Sequence, residues 1–228
     1  YWALKSLVSF PVNSWIENVG PLLSDKVRAV RIAAADLFLA IPEKQVPGNY
    51  YQAHAAARNE LQSYLMYQAD FSTGNLMIAD YYLKLQDYNN AEKFYLRGLK
   101  KDSLMNYGRL NLSAAYNSQG KNEQALQQLL IAVKIDPRNE RIYYNLALLY
   151  NEMNNKAAAE KSFEKAVELK SQNTRVYFNY GLLLNESKKY KAAETILNKG
   201  ISISPAAPEL YYAIIFVYQG MNDISKAR

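Results

Sequence analysis

The sequence predicts an all-α fold, a right-handed helical-repeat solenoid, and three observations carry that expectation. Ala91, Ala125, Ala159, Ala193 and Ala227 recur at a fixed interval of 34 residues. Columns of small and of large apolar residues keep the same interval. Apolar residues make up 50% of the 228, yet no apolar run approaches the ~20 residues of a membrane span. The apolar surface must therefore be buried between helices, and units of this period bury it by stacking on one another.

Ahead of the repeats, Ser14 to Leu23 reads as a short helix interrupted by Gly20-Pro21, and Asp25 is placed to cap a second helix over about 26–41. Residues 1–10 read as the closing helix of a preceding unit. A chain that opens at Tyr1-Trp2 without Met reads as a piece of something longer. The run from Leu22 to Ala35, with Asp25 ahead of a Val-Arg pair, resembles a HEAT-type repeat. That resemblance implies that Asp25 and Arg31 make hydrogen bonds along a stack. Ile41-Pro42 through Pro47-Gly48 breaks the chain. A long helix is expected over about 49–68. Its Ala57 and Leu61 stand one interval before Ala91 and Tyr95, as the second half of a degenerate repeat.

From residue 72 each unit reads as two short helices. First helices are expected at about 72–86, 106–120, 140–154, 174–188 and 208–220. Turns are expected at Asp87-Tyr88-Asn89-Asn90, Lys121-Asn122, Asn155-Lys156 and Lys189-Tyr190. Ala79, Ser113, Ala147 and Gly181, and then Gly98, Ala132, Ala166 and Gly200, are small where helices must approach closely. Tyr95, Leu129, Phe163 and Leu197 are the large residues that fill the adjoining grooves. The columns of Tyr82, Tyr116, Tyr150 and Tyr218, and of Tyr143, Tyr177 and Tyr211, are expected to pack within and between units. This pattern resembles the tetratricopeptide repeat over 72–228, with four full units and the first helix of a fifth. The expected organisation is a HEAT-like segment at 1–47, a linking helix at 48–71 and the array at 72–228. That module order resembles the C-terminal region of bacterial multihaem c-type cytochromes. The resemblance implies an extracytoplasmic parent and an accessory docking role for this segment.

Composition narrows the function. With no cysteine there is no disulfide, thiolate metal site or covalent haem attachment within the segment. The net charge of +6 is interleaved with acids and sits mostly after residue 105, a weak footprint for nucleic acid. There is no phosphate loop, metal-ligand spacing or nucleophile motif. The single histidine, His54, reads as a surface or packing residue. Glu160 and Glu164 among Lys156, Lys161 and Lys165 read as a solvated helix face with i,i+4 ion pairs. No catalysis, cofactor or metal is expected.

The expected function is to hold a protein or peptide in the concave groove lined by first helices. The groove columns place Arg141 and Arg175, Tyr144, Phe178 and Tyr212, and the amides Asn151, Asn185 and Gln219 on that surface. Asn145 and Asn179 form an inner column with Asn111. Aromatics supply contact area at low entropy cost, and amides donate to and accept from a peptide backbone. Packing between repeats accounts for the same aromatics, and bonding within the array for the same inner amides. A clamp for a C-terminal carboxylate is not expected, because its places read Leu110 and Ala114, Asn145, then Arg175 and Asn179. If the fifth unit lacks its second helix, Ile214, Ile215 and Tyr218 leave an apolar face for a homodimer.

Overall fold

A computed structural model describes residues 4 and 6–222, all of whose regular elements are helical. Ala227 and the Tyr1-Trp2 start lie outside the described residues. The helices are α1 (Ile16–Val19), α2 (Arg28–Phe38), α3 (Tyr51–Tyr67), α4 (Ser72–Lys84), α5 (Tyr88–Lys101), α6 (Asn106–Ser118), α7 (Asn122–Ile135), α8 (Glu140–Glu152), α9 (Lys156–Glu168), α10 (Thr174–Glu186), α11 (Tyr190–Ile203) and α12 (Pro208–Gly220). They fall into two compact units, residues 1–119 and 120–228. Among the described residues no helix is long and apolar enough to cross a membrane.

In unit 1, within the expected closing helix over 1–10, the described residues Leu4 and Ser6 are helical and a 3-10 turn, Leu7–Ser9, follows them. Gly20-Pro21 converts α1 into a further 3-10 turn, Gly20–Ser24. Asp25 does not cap α2 in the usual way. Its carboxylate accepts from the Val27 N–H at 2.7 Å, which holds Val27 extended and delays the helix to Arg28. The expected Asp25–Arg31 pairing is also different in kind. Arg31 donates to the backbone carbonyl of Asp25 at 2.8 Å. Its guanidinium then grips both oxygens of Glu60 on α3 at about 3 Å. The pair ties α2 to α3 rather than running along a stack. Trp15, Phe38 and His54 form a buried aromatic seam, each neighbouring pair 5.6 Å between ring centroids. His54 is thus a packing residue, 4% exposed.

The first helices of the repeats start where the spacing predicts, and four of the five stop two residues short. First helices end at residues 84, 118, 152 and 186 instead of 86, 120, 154 and 188. The reason is a left-handed residue in every turn: Gln86, Gly120, Asn154, Lys188 and Asn222, with φ between 57° and 71°. That conformation ends an α-helix. The second helix then starts sooner than the expected turn over 87–90 allows, because Asp87 caps α5 through the Asn90 N–H and Asn155 caps α9 through the Ala158 N–H.

The small columns sit at closed contacts. Ala91, Ala125, Ala159 and Ala193 are all 0% exposed. A methyl at Gly98 would meet a Leu76 methyl at 2.8 Å, and one at Gly181 would meet Leu197 at 2.6 Å. In unit 2 the core runs through Ala147, Phe163, Val176, Tyr180, Leu184, Leu197, Leu210 and Val217. Each large apolar side chain buried there contributes roughly 1.5–3 kcal/mol. A second column is held by hydroxyls. Tyr143, Tyr177 and Tyr211 donate to the carbonyls of Pro137, Ser171 and Pro205, six residues back in each case. In unit 1 Arg109 occupies the same place and donates to Ser103. These tyrosines pin the inter-repeat turn to the helix that follows it.

Candidate functional site

The first helices of unit 2, α8, α10 and α12, carry every residue expected on the binding face. α10 packs against α12. α8 and α10 are bridged by Asn179, whose Nδ2 donates to the Tyr144 hydroxyl at 2.9 Å. Tyr144 is half-buried, and so are Asn145, Phe178, Asn179 and Asn185. Tyr144 and Phe178 pack against the core, so these two aromatics partly serve stacking. Burial raises the Tyr144 hydroxyl above its ordinary pKa, while the Asn179 bond and the Arg175 charge oppose the shift. Arg175 therefore lies within electrostatic reach of Tyr144.

Other members of the set face outward. Arg141, Asn151, Arg175 and Gln219 are exposed, and Tyr212 is 65% exposed. Asn185 Oδ1 is buried and accepts no hydrogen bond. The structure thus joins Tyr144 to Asn179 and leaves Tyr212 as a free-standing aromatic on α12. Two of the three inner amides bond within the array, Asn179 here and Asn111 in unit 1 by donating to Asp80 at 2.9 Å.

The apolar face expected on α12 is displaced. Ile214 is buried, and the Tyr218 hydroxyl donates to Glu194 at 3.0 Å. The exposed large residues are Tyr211, Tyr212 and Phe216. The charged face of α9 also differs from expectation. Lys189 pairs with Glu160 at 2.8 Å and Lys156 with Glu186 at 3.2 Å, so these bridges link different helices instead of following i,i+4 spacing. Each is exposed enough to contribute little. Behind them, burial first and then Glu160 and Glu164 push the Tyr180 hydroxyl up to about 12.

One polar cluster escaped the sequence reading. In unit 1 the Asp80 carboxylate accepts from Tyr95, Tyr107 and Asn111. Its partners come from α5 and α6, so no single column displays it. Burial and the Asp80 charge both raise the Tyr95 hydroxyl. Among the described residues there is no group of three or more His, Asp or Glu side chains able to hold a metal ion.

Comparisons with known proteins follow the repeat. Models described as tetratricopeptide repeat match residues 73–102, 140–173 and 174–206, and a model described as TPR repeat matches 114–154. Among solved structures, the MamA protein is 25% identical, with a TM-score of 0.61 over 68% of this chain and 85% of its own. Pseudomonas aeruginosa PilF is 21% identical, with a TM-score of 0.64 over 88% of this chain and 86% of its own. YrrB, described as a TPR protein with an unusual peptide-binding site, is 18% identical, with a TM-score of 0.56 over 68% and 79%. No curated protein matches the sequence. Residues 1–47 lie outside the residues the repeat models match, and none of these matches carries the HEAT-like or cytochrome resemblance. On the matched repeats and the shared helical architecture, the chain belongs to the tetratricopeptide repeat family.

Proposed function

We propose that the protein is a non-catalytic scaffold that binds a peptide or protein segment along the first-helix face of unit 2. The observation that supports this most is the uncommitted chemistry of that face. Tyr212 stands 65% exposed, the amides Asn151 and Gln219 are exposed, and Arg141 and Arg175 meet no carboxylate among the described residues. An aromatic anchor, backbone-reading amides and two guanidinium forks suit an extended segment with acidic side chains. Peptide binding by YrrB on the same fold is a precedent for the ligand class, not for the residues.

The test is partner capture with the full chain, followed by the same capture with Tyr212→Ala and Arg175→Ala combined. Both side chains are exposed, so helicity by circular dichroism should not change. Loss of the partner supports the reading, and retention at wild-type level refutes it. A second reading, self-association, rests on the exposed Tyr211, Tyr212 and Phe216 of α12. Phe216→Ser separates the two. It should abolish any dimer seen by sedimentation and leave partner capture intact.

A further inference from the structure

Unit 1 holds a second candidate site, independent of the face on unit 2. Helices α2, α3, α4 and α6 surround a cavity of about 620 Å³, within the size range of ligand-binding sites. Its walls are apolar, with Ile32 from α2, Leu61 and Leu65 from α3, and Met77 and Leu83 from α4. Two carboxylates reach it, Asp36 and Asp80. Asp36 is compensated by Lys84, whose Nζ stands 2.7 Å from Oδ1. Among the described residues Asp80 is met only by neutral donors, Tyr95 and Asn111 on Oδ1 and Tyr107 on Oδ2.

Those three bonds orient the Asp80 carboxylate without cancelling its charge, and Oδ2 keeps an open acceptor position. Apolar walls lower the local dielectric, and Lys84, which lines the same cavity, is held by Asp36, so the Asp80 charge attracts a cation more strongly than it would in bulk water. The acceptor pattern also selects the cation. A guanidinium fork wants both carboxylate oxygens, but Oδ1 is already taken twice. A compact ammonium needs one position and brings an aliphatic stem suited to the walls. The rim extends the contact beyond a single side chain. Tyr64, Met77 and Tyr107 are 39%, 43% and 54% exposed around the opening, adaptable apolar surface for flanking residues.

We propose that this cavity binds a lysine side chain presented by an apolar segment of a partner protein, its stem against Ile32, Leu61 and Leu83 and its ammonium donating to Asp80. The test is calorimetric titration of the full chain with three blocked octapeptides of leucine and serine that differ only at a central lysine, arginine or acetyl-lysine. The lysine peptide should bind about tenfold tighter than either of the others, and less tightly as salt is raised. Asp80→Asn should erase the difference between lysine and acetyl-lysine. Met77→Lys puts an ammonium one turn before Asp80 on the same helix and should block the lysine peptide. If Asp80→Asn fails to fold by its melting curve, Met77→Lys decides alone. The combined Tyr212→Ala and Arg175→Ala variant should bind the lysine peptide as the wild type does, so failure of this site is distinct from failure of the face on unit 2. Equal binding of the lysine and acetyl-lysine peptides would overturn the proposal. So would undiminished binding to Met77→Lys, or n-hexylamine matching the lysine peptide at the same concentration.

Discussion

Gly200→Ala is the sharpest probe of how the repeats pack. In an unconstrained helix this substitution stabilises by about 1 kcal/mol, because alanine gives up less backbone entropy. At Gly200 the new methyl would stand 2.7 Å from Tyr177 Cβ and 3.1 and 3.2 Å from the two Leu210 methyls. The Leu210 methyls can give way by a few tenths of an ångström. Tyr177 Cβ cannot, because it is fixed to its own backbone and its ring is fully buried. Helix α11 must therefore shift from its neighbours, at a cost of roughly 1–3 kcal/mol for overpacking. The net expectation is a loss of about 1 kcal/mol. One interval earlier the equivalent pair is Ala166 and Val176, which suggests the compensating change. Leu210→Val alone should cost about 1 kcal/mol for its lost methylene. Introduced into Gly200→Ala it should cost less, by at least about 0.5 kcal/mol of coupling. Urea denaturation of the four proteins reads both quantities from midpoints at constant slope. A Gly200→Ala variant more stable than wild type would refute the close approach, and strict additivity with Leu210→Val would place the whole clash on Tyr177.

Three further outcomes follow from named contacts. Tyr177→Phe removes a buried hydroxyl that donates to Ser171 at 2.7 Å and should cost about 1 kcal/mol. Tyr211→Phe, at a 43% exposed residue, should cost less, and the reverse order in melts would count against the pinning role. Asn155→Ala removes the cap on α9 and should cost about 1 kcal/mol, read as earlier thermal unfolding. Burial, then the Arg58 charge, holds the His54 imidazole below its ordinary pKa of 6.5, with Glu43 opposing. The unfolded chain therefore takes up this proton first as pH falls. The contribution is fully present above about pH 6.5 and is lost progressively below it. His54→Phe should flatten that part of the stability profile, and an unchanged slope would mean His54 is not its source.

The array was legible because its signal is redundant. Alanines 34 residues apart are all fully buried where described, and one close approach explains each. The left-handed turn column was not legible. Gly120, Asn154 and Asn222 suit it, but Gln86 and Lys188 hide it. The tyrosine hydroxyls were recoverable in principle, since Pro137, Ser171 and Pro205 keep a constant offset of six from their donors. Asp80 was not recoverable, because three helices contribute to its environment and none of them looks unusual alone. In the N-terminal segment α2 and α3 were legible as helices. The partner of Arg31 was not, since Glu60 lies 29 residues away on a helix with no repeat to align it. On the candidate face, exposed side chains were readable at Tyr212 and Arg175. The division of Tyr144 and Phe178 between stacking and exposure depends on packing against the core.

Radical footprinting of the full chain with and without its captured partner tests the central claim most directly. Binding along the first helices of unit 2 predicts protection of Tyr212 on α12 and Phe178 on α10, with Lys161 on α9 and Lys199 on α11 unchanged. Protection of α9 and α11 with Tyr212 still fully reactive would contradict it.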